Sequence, residues 1–409
     1  MNSIRQRVYR KACMSQFSKL RREFHSSIPA FEEAYIVAAK RTPVGARNGV
    51  LRSIGAAELA SSVVKAVVER SGLENWSAIH NVVLGHALPA NSGYSPARRA
   101  SLLAGLPVST DAWSINQGGA SGIKSVNLGV SYIENGLAEV VVAGGMESAS
   151  SSPIYVNENG YLVDCAHEDG QMDGEIHIGN HIDKVAQNHD FKISRELQDD
   201  YAARSYQNAI LSQNNNKFLK EIIPLEIETI NGDSILVSED EWPKSIDIFS
   251  LRELDPVKGQ TTITAGTTSP FGDGAAALFL AGETKLDKYD LVRPLAVILA
   301  HADSYGDSVL APSVAIRSAL AQAKLQVKEV HKFEIDETFA AITLLSQQLL
   351  GIDLDLVNIR GGSLSLGNPV GASGTRSLVT LIYALQEGEI GVAVASGNGS
   401  ASAVIVQRL

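Results

Sequence analysis

The sequence predicts an α/β protein made of two similar halves, with an irregular region inserted into the first. Three observations carry this. Short apolar strands alternate with stretches whose apolar residues recur at helical spacing. The segment Gly119-Ala120-Ser121-Gly122-Ile123-Lys124-Ser125 returns as Gly371-Ala372-Ser373-Gly374-Thr375-Arg376-Ser377. Between them, from about Ser150 to Thr268, the pattern turns polar and turn-rich.

The elements follow in order. Tyr35-Ile36-Val37-Ala38-Ala39 reads as a buried strand that ends at the turn-prone Thr42-Pro43-Val44-Gly45. Ala56 to Ser71 has helical periodicity, Asn81 to Gly85 is a second strand, and Ser121 to Glu134 is helical again. Ala138 to Ala143 is the next strand, which Gly144-Gly145 is expected to stop. In the insert, a helix is expected from Ser194 to Leu211, with Ser194 as its cap and Glu196 in its first turn. The regular pattern resumes after Gly272-Asp273-Gly274. Each copy of the repeat leads into a helix, a glycine (Gly136, Gly388) and a valine-rich strand, so the halves should pack together around shared faces. Domain boundaries follow: 1–30 as a targeting segment, 31–150 completed by about 272–292, 151–271 as the insert, and 293–409 as the second half.

The first 22 residues hold seven of the 35 Lys and Arg and no acid, interspersed with serines, Phe17 and Leu20. This is the composition of a mitochondrial transit peptide, with Arg21 to Ser27 as a processing region and the matrix as the expected destination. Residues 23–409 then carry 28 basic against 45 acidic groups, net −17, which disfavours a nucleic-acid partner. No stretch is long and apolar enough for a transmembrane helix. With only Cys13 and Cys165, multi-cysteine zinc and iron–sulfur sites are excluded. Cys165 reads as an ordinary thiol despite the nearby His167. His167, His177 and His181 lack a zinc signature, so no metal is expected.

The ordered motifs resemble the thiolase family over nearly all of residues 33–409. They include Val37-Ala38-Ala39-Lys40-Arg41-Thr42-Pro43, Gly144-Gly145-Met146-Glu147-Ser148, Asp336-Glu337-Thr338-Phe339-Ala340 and Leu366-Gly367-Asn368-Pro369-Val370-Gly371-Ala372-Ser373-Gly374. The resemblance implies a layered αβαβα fold with an inserted loop domain, and chemistry on acyl-coenzyme A. Thiolases use a nucleophilic cysteine, an activating histidine, an asparagine that holds an oxyanion-hole water, and a second cysteine that moves the α-carbon proton. Those positions match Gly119, Asn368, Asp336 and Ser396 here, or Ala395 for the last if the following glycines set the register. A glycine cannot form a thioester, an asparagine is no base near neutral pH, and an ionised carboxylate would repel an oxyanion.

No catalytic residue is therefore expected at these four positions. His177, Ser269 and Phe271 match a possible CoA or acyl pocket, in which Phe271 either fills the space or contacts an acyl chain. Arg195 and Lys217 are candidate phosphate contacts. The expected function is a non-catalytic, thiolase-like mitochondrial protein that requires no cofactor. It would serve as a structural or regulatory subunit, or as a binder of CoA or acyl-CoA, in a homo-oligomer (dimer or tetramer) or a hetero-oligomer with a mitochondrial enzyme. The alternative is a divergent acyl-CoA enzyme that hydrolyses thioesters weakly, or transfers acyl groups, without an acyl-cysteine.

Overall fold

The computed structural model describes residues 32–409 apart from 154, 157–161, 164–177, 189, 229–231, 245–247 and 398. The targeting segment, Cys165, His167 and His177 lie outside the described residues.

Nine strands form one mixed sheet: β1 (Ala34–Arg41), β2 (Asn81–Gly85), β3 (Asp111–Ile115), β4 (Val140–Ser148), β5 (Gly272–Gly282), β6 (Ala296–Tyr305), β7 (Lys332–Ile335), β8 (Ile390–Gly397) and β9 (Ser400–Arg408). A short tenth strand, Gly45–Ala46, pairs with β5. The order is β7-β8-β9-β6-β1-β5-β4-β2-β3. Outward from the β6–β1 junction, both sides follow one rule. β1-β5-β4 is antiparallel and then β2 runs parallel to β4. β6-β9-β8 is antiparallel and then β7 runs parallel to β8. The repeat in the sequence is thus a repeat of topology, with β3 added to the first half alone.

The helices are α1 (Ala56–Ser71), α2 (Pro96–Leu103), α3 (Ser121–Glu134), α4 (Ile178–Ala186), α5 (Arg195–Asn214), α6 (Glu283–Lys288), α7 (Ala311–Ala323), α8 (Ala340–Leu350), α9 (Ser363–Leu366) and α10 (Val370–Ala384). Strand alternation assigns the layers. In β4, Val140, Val142 and Met146 face α1, while Val141 and Ala143 face α3 and α10. In β8, Ala393 and Ala395 join that same central core, while Val392 and Val394 face α7. The order is α1, first half-sheet, α3 with α10, second half-sheet, α7, which is the layered αβαβα arrangement. Val63, Val64, Val67 and Val68 of α1 are fully buried, each contributing about 1.5–3 kcal/mol of apolar burial.

α3 and α10 cross where the repeat places glycine in both. A Cβ on Gly122 would fall 2.8 Å from the Thr375 amide nitrogen, and one on Gly374 would fall 3.1 Å from that of Ile123. These are reciprocal contacts about the pseudo-twofold. β4 does not stop at Gly144-Gly145 as expected but runs on to Ser148. Here the glycines mark close approach to backbone, not a break: a Cβ on Gly145 would fall 2.7 Å from the Ala372 Cα at the start of α10.

The insert is more regular than its composition implies. α5 starts at the predicted cap, where the Ser194 side chain accepts from the Leu197 amide, but it extends to Asn214. A buried ion network fastens the insert to β1. Arg41 donates to Glu221 Oε1 at 2.7 Å and forks onto both Asp240 oxygens at 2.7 and 2.9 Å.

Candidate active site

Three segments meet at the carboxyl ends of β7 and β8, and Asn368 gathers a separate cluster ahead of α10. Residues 116–120 precede α3, and Asp336 follows β7. Ser396-Gly397 closes β8, and Asn368 precedes α10.

Gly119 lies against the end of β8. A Cβ built on it would fall 2.3 Å from the Ser396 carbonyl oxygen and 3.7 Å from Asp336 Oδ2. The volume a side chain would need is occupied by backbone, and the nearest side-chain group is a carboxyl. Ser121 is no displaced nucleophile: its Oγ donates to the Gly118 carbonyl at 2.6 Å and accepts from the Gln117 amide at 2.8 Å. Those bonds fold the loop that carries Gly119 into α3.

Asp336 is buried. Ser363 Oγ donates to its Oδ1 at 2.9 Å and Thr338 Oγ1 to its Oδ2 at 2.7 Å. Burial raises its pKa, against the pull of Thr338, Ser363 and the Arg376 charge. Desolvation outweighs the donors, so the carboxyl holds its proton more tightly than an exposed aspartate does. Neighbouring Glu337 ties the insert to this loop. Tyr201 Oη donates to it at 2.6 Å, Ser205 Oγ at 2.8 Å, Asn358 Nδ2 at 2.8 Å and the Leu364 amide at 3.1 Å. Glu334, in β7 two residues before Asp336, is buried, and that burial pushes its pKa up to about 8.

Asn368 gathers a second cluster. Its Nδ2 donates to Ser269 Oγ at 2.9 Å, and its Oδ1 accepts from Ser373 Oγ at 2.5 Å. Its backbone pairs with the 270–272 segment, with the Asn368 amide on the Pro270 carbonyl at 2.8 Å and the Gly272 amide on the Asn368 carbonyl at 3.0 Å. This pairing places Phe271 beside Asn368 with its side chain 39% exposed, so the ring does not fill a closed core.

The structure thus brings Gly119, Asp336 and Ser396 into one cluster, and Asn368, Ser269 and Phe271 into another. Arg195 is held by Asp199 at 2.7 Å and by the Leu254 carbonyl at 2.7 Å, and His181 by Asp307 at 3.0 Å. Sequence reasoning missed Thr338, Ser363, Ser373 and Glu337 as partners of the site. Ser373 and Arg376 sit inside the repeated segment, the one signal that could have singled them out. Ser363 and Thr338 are small hydroxyls that only tertiary contact distinguishes.

Comparison with known proteins agrees with this architecture. The family model described as "Thiolase, N-terminal domain" matches residues 34–284, and "Thiolase, C-terminal domain" matches residues 292–408. An acetyl-CoA acetyltransferase of Yarrowia lipolytica is 41% identical over 396 residues, 94% of this chain and 98% of that protein. The mitochondrial acetyl-CoA acetyltransferase of Mus musculus is 36% identical over 400 residues, covering 94% and 93%. Among solved structures, the Acat5 thiolase of Ascaris suum in complex with coenzyme A superposes with a TM-score of 0.85 at 33% identity, covering 92% of this chain and all of that one. The acetyl-CoA acetyltransferase of Bacillus anthracis gives 0.86 at 30%, covering 93% and all.

These relatives are named as enzymes across almost the whole chain, which overturns the expected non-catalytic role and the pseudoenzyme reading. That expectation treated the replaced side chains as a loss of all chemistry. The two clusters retain a buried carboxyl at Asp336, a hydrogen-bonded amide at Asn368 and the hydroxyls that hold them. Both halves match from β1 to β9, and the chain belongs to the thiolase family.

Proposed function

We propose that this protein is an enzyme acting on CoA thioesters, transferring or releasing a short acyl group without an acyl-cysteine intermediate. The observation that carries the reading is the Gly119 site, where the Ser396 carbonyl stands in the volume a nucleophilic side chain would need. The acyl group must then pass directly from the thioester to an acceptor or to water.

The side chains suit polarisation of the thioester carbonyl better than covalent capture. Asp336 carries a raised pKa and has Oδ2 turned towards Gly119. A protonated carboxyl there donates a hydrogen bond to a carbonyl oxygen as it gains negative charge. Asn368 has one amide hydrogen on Ser269 and a second to offer, with its orientation held by Ser373. Ser269 is buried against Asn368, and the half-exposed Phe271 stands beside them. The CoA-bound structure of the Ascaris suum relative supports CoA as the carrier.

Relatives from Xenopus laevis, Aspergillus fumigatus and Mus musculus are named mitochondrial. With the basic N-terminal composition, this supports a mitochondrial location, which we place in the matrix. Assembly as a dimer or tetramer fits the same family.

The test is turnover of acetyl-CoA, and of acetoacetyl-CoA with and without free CoA, followed by thioester absorbance and intact protein mass. Saturable thioester consumption with no acyl adduct on the protein is expected. Absence of turnover on every short-chain thioester sinks the proposal, and an acylated side chain sinks the direct route.

A further inference from the structure

A second cavity, of about 530 Å³, opens where the end of β1, the segment before β6 and the last turn of α10 come together. Asn368 lies at one end of α10 and Tyr383 at the other, so the two sites are roughly 20 Å apart at the helical rise per residue. Four cations line this cavity, Lys40, Arg70, Lys220 and Arg408, with Tyr383 and Leu295 in its wall; among the described residues no acid lines it.

Among the described residues no carboxylate pairs directly with these four cations. Lys40 Nζ donates to the Lys220 carbonyl at 2.5 Å, and Arg408 to the Leu295 and Leu409 carbonyls, the latter at 3.0 Å. Those neutral acceptors fix the cationic heads without cancelling them. The acid that acts on Lys40 is Glu221, already held by Arg41 at 2.7 Å and Thr380 at 2.9 Å. The acid that acts on Arg408 is Glu387, paired with Arg293 at 3.0 Å. Burial, with the Arg70 charge behind it, pulls the Lys40 pKa down, and burial lowers that of Arg408. Such crowding of like charge is relieved by a bound anion. It stands out in a chain whose residues 23–409 carry net −17.

We propose that this cavity binds a soluble organic polyphosphate of nucleoside-diphosphate size. Small-molecule sites span roughly 300–1,000 Å³. Two phosphate groups match four cations, with guanidinium forks suited to phosphate oxygens. Tyr383 and Leu295 give a planar organic group an apolar surface. The site is independent of the acyl-CoA reading and stands or falls without it.

Isothermal titration of the full chain with ADP, inorganic pyrophosphate and adenosine tests it. One ADP per chain is expected, with no binding of adenosine, weaker binding of pyrophosphate and loss of affinity as salt rises. Arg70→Glu with Lys220→Glu, both exposed and so compatible with folding, should lower ADP affinity at least about tenfold. Lys65→Glu on the outer face of α1 should leave it unchanged. ADP binding that survives the double change belongs to another site and overturns the proposal, as does no binding at millimolar ADP. Pyrophosphate binding as tight as ADP removes the organic half of the ligand. Sedimentation with anionic phospholipid vesicles in place of ADP binding assigns the cations to a membrane surface and overturns the soluble ligand.

Discussion

Placing a side chain at Gly119 tests directly whether the site is built around its absence. A Cβ there would sit 2.3 Å from the Ser396 carbonyl oxygen. Ordinary contact begins near 3.4 Å, so one partner must move by roughly 1 Å against a steep repulsive wall. The Ser396 carbonyl cannot turn away freely. Ser396 and Gly397 pair with Ala401 and Ser400 across the β8–β9 hairpin, and Gly397 itself packs onto the Gly119 amide. Displacement therefore propagates into two strands, at an overpacking cost of about 1–3 kcal/mol. Gly119 is not among the glycines with positive φ, so the cost is steric and not conformational. Gly119→Ala and Gly119→Cys should both shift the urea midpoint downward by that amount at unchanged m-value. The cysteine variant should also fail to accumulate an acyl adduct when mixed with acetyl-CoA, because its Sγ must compete with backbone for the same volume. A Gly119→Ala variant within about 0.5 kcal/mol of the parent would refute the packing argument, and with it the inference that no acyl-enzyme forms.

Asp336→Asn keeps a donor facing the thioester while Asp336→Ala does not, so turnover should fall far more in the second; equal losses would remove Asp336 from carbonyl polarisation. If the protonated carboxyl is the working form, the rate should decline as pH rises through its raised pKa, and this decline should vanish in Asp336→Asn. Asn368→Ala strands Ser269 and Ser373 and should reduce kcat/KM by about tenfold or more, with circular dichroism unchanged. Glu334 has a folded pKa of about 8 against an ordinary 4.5. Its contribution to stability is present below pH 4.5 and is lost as pH rises through 8. Glu334→Gln should match the parent in thermal midpoint at low pH and gain on it progressively across that window. Arg41→Met strips Asp240 of its guanidinium and leaves Glu221 with Arg360 at 3.6 Å, and should cost about 3–5 kcal/mol, measured by denaturant unfolding; Arg41→Lys should recover little of it, since lysine cannot reproduce the fork.

Much of the fold was legible because its signals are local. Helix 56–71, helix 121–134 and strand 81–85 match the structure to the residue, since each has uninterrupted periodicity and clear boundaries. The strand through Gly144-Gly145 was misread because a glycine pair inside a strand has two physical meanings, a break or a close approach. Only the position of α10 chooses between them. In the site, residue identities alone exposed the replacement at Gly119, but not its consequence. Whether glycine leaves a hole or is filled depends on the Ser396 carbonyl, which is backbone and carries no sequence signal. The raised pKa of Asp336 was hidden for a related reason. Its charge state is set by burial and by hydroxyls at Thr338 and Ser363, and composition does not report burial.

The two copies of the repeat show how one design yields two kinds of surface. Gly119 and Gly371 hold equivalent places, each just ahead of or within the first turn of a central helix, and both lack a side chain because backbone presses on them. At Gly371 the pressing atoms are the His86 Cα and the Met146 carbonyl oxygen, each 2.7 Å from where a Cβ would be. That contact belongs to the packed interior of the first half-sheet, where Glu147 accepts the Gly371 amide at 2.9 Å. At Gly119 the pressing group comes from β8, and on its other side stands the Asp336 carboxyl. The same backbone economy sets Gly371 against His86 and Glu147 in one copy and Gly119 against Ser396 and Asp336 in the other. The residue after β7 is Asp336, held by Thr338 and Ser363, whereas the residue after its counterpart β2 is His86, 3.2 Å from the Glu147 carboxyl. On the proposed function, the chemistry is carried by Asp336 at the end of β7. Substitutions there should alter turnover with little effect on stability, and those around Gly371 the reverse.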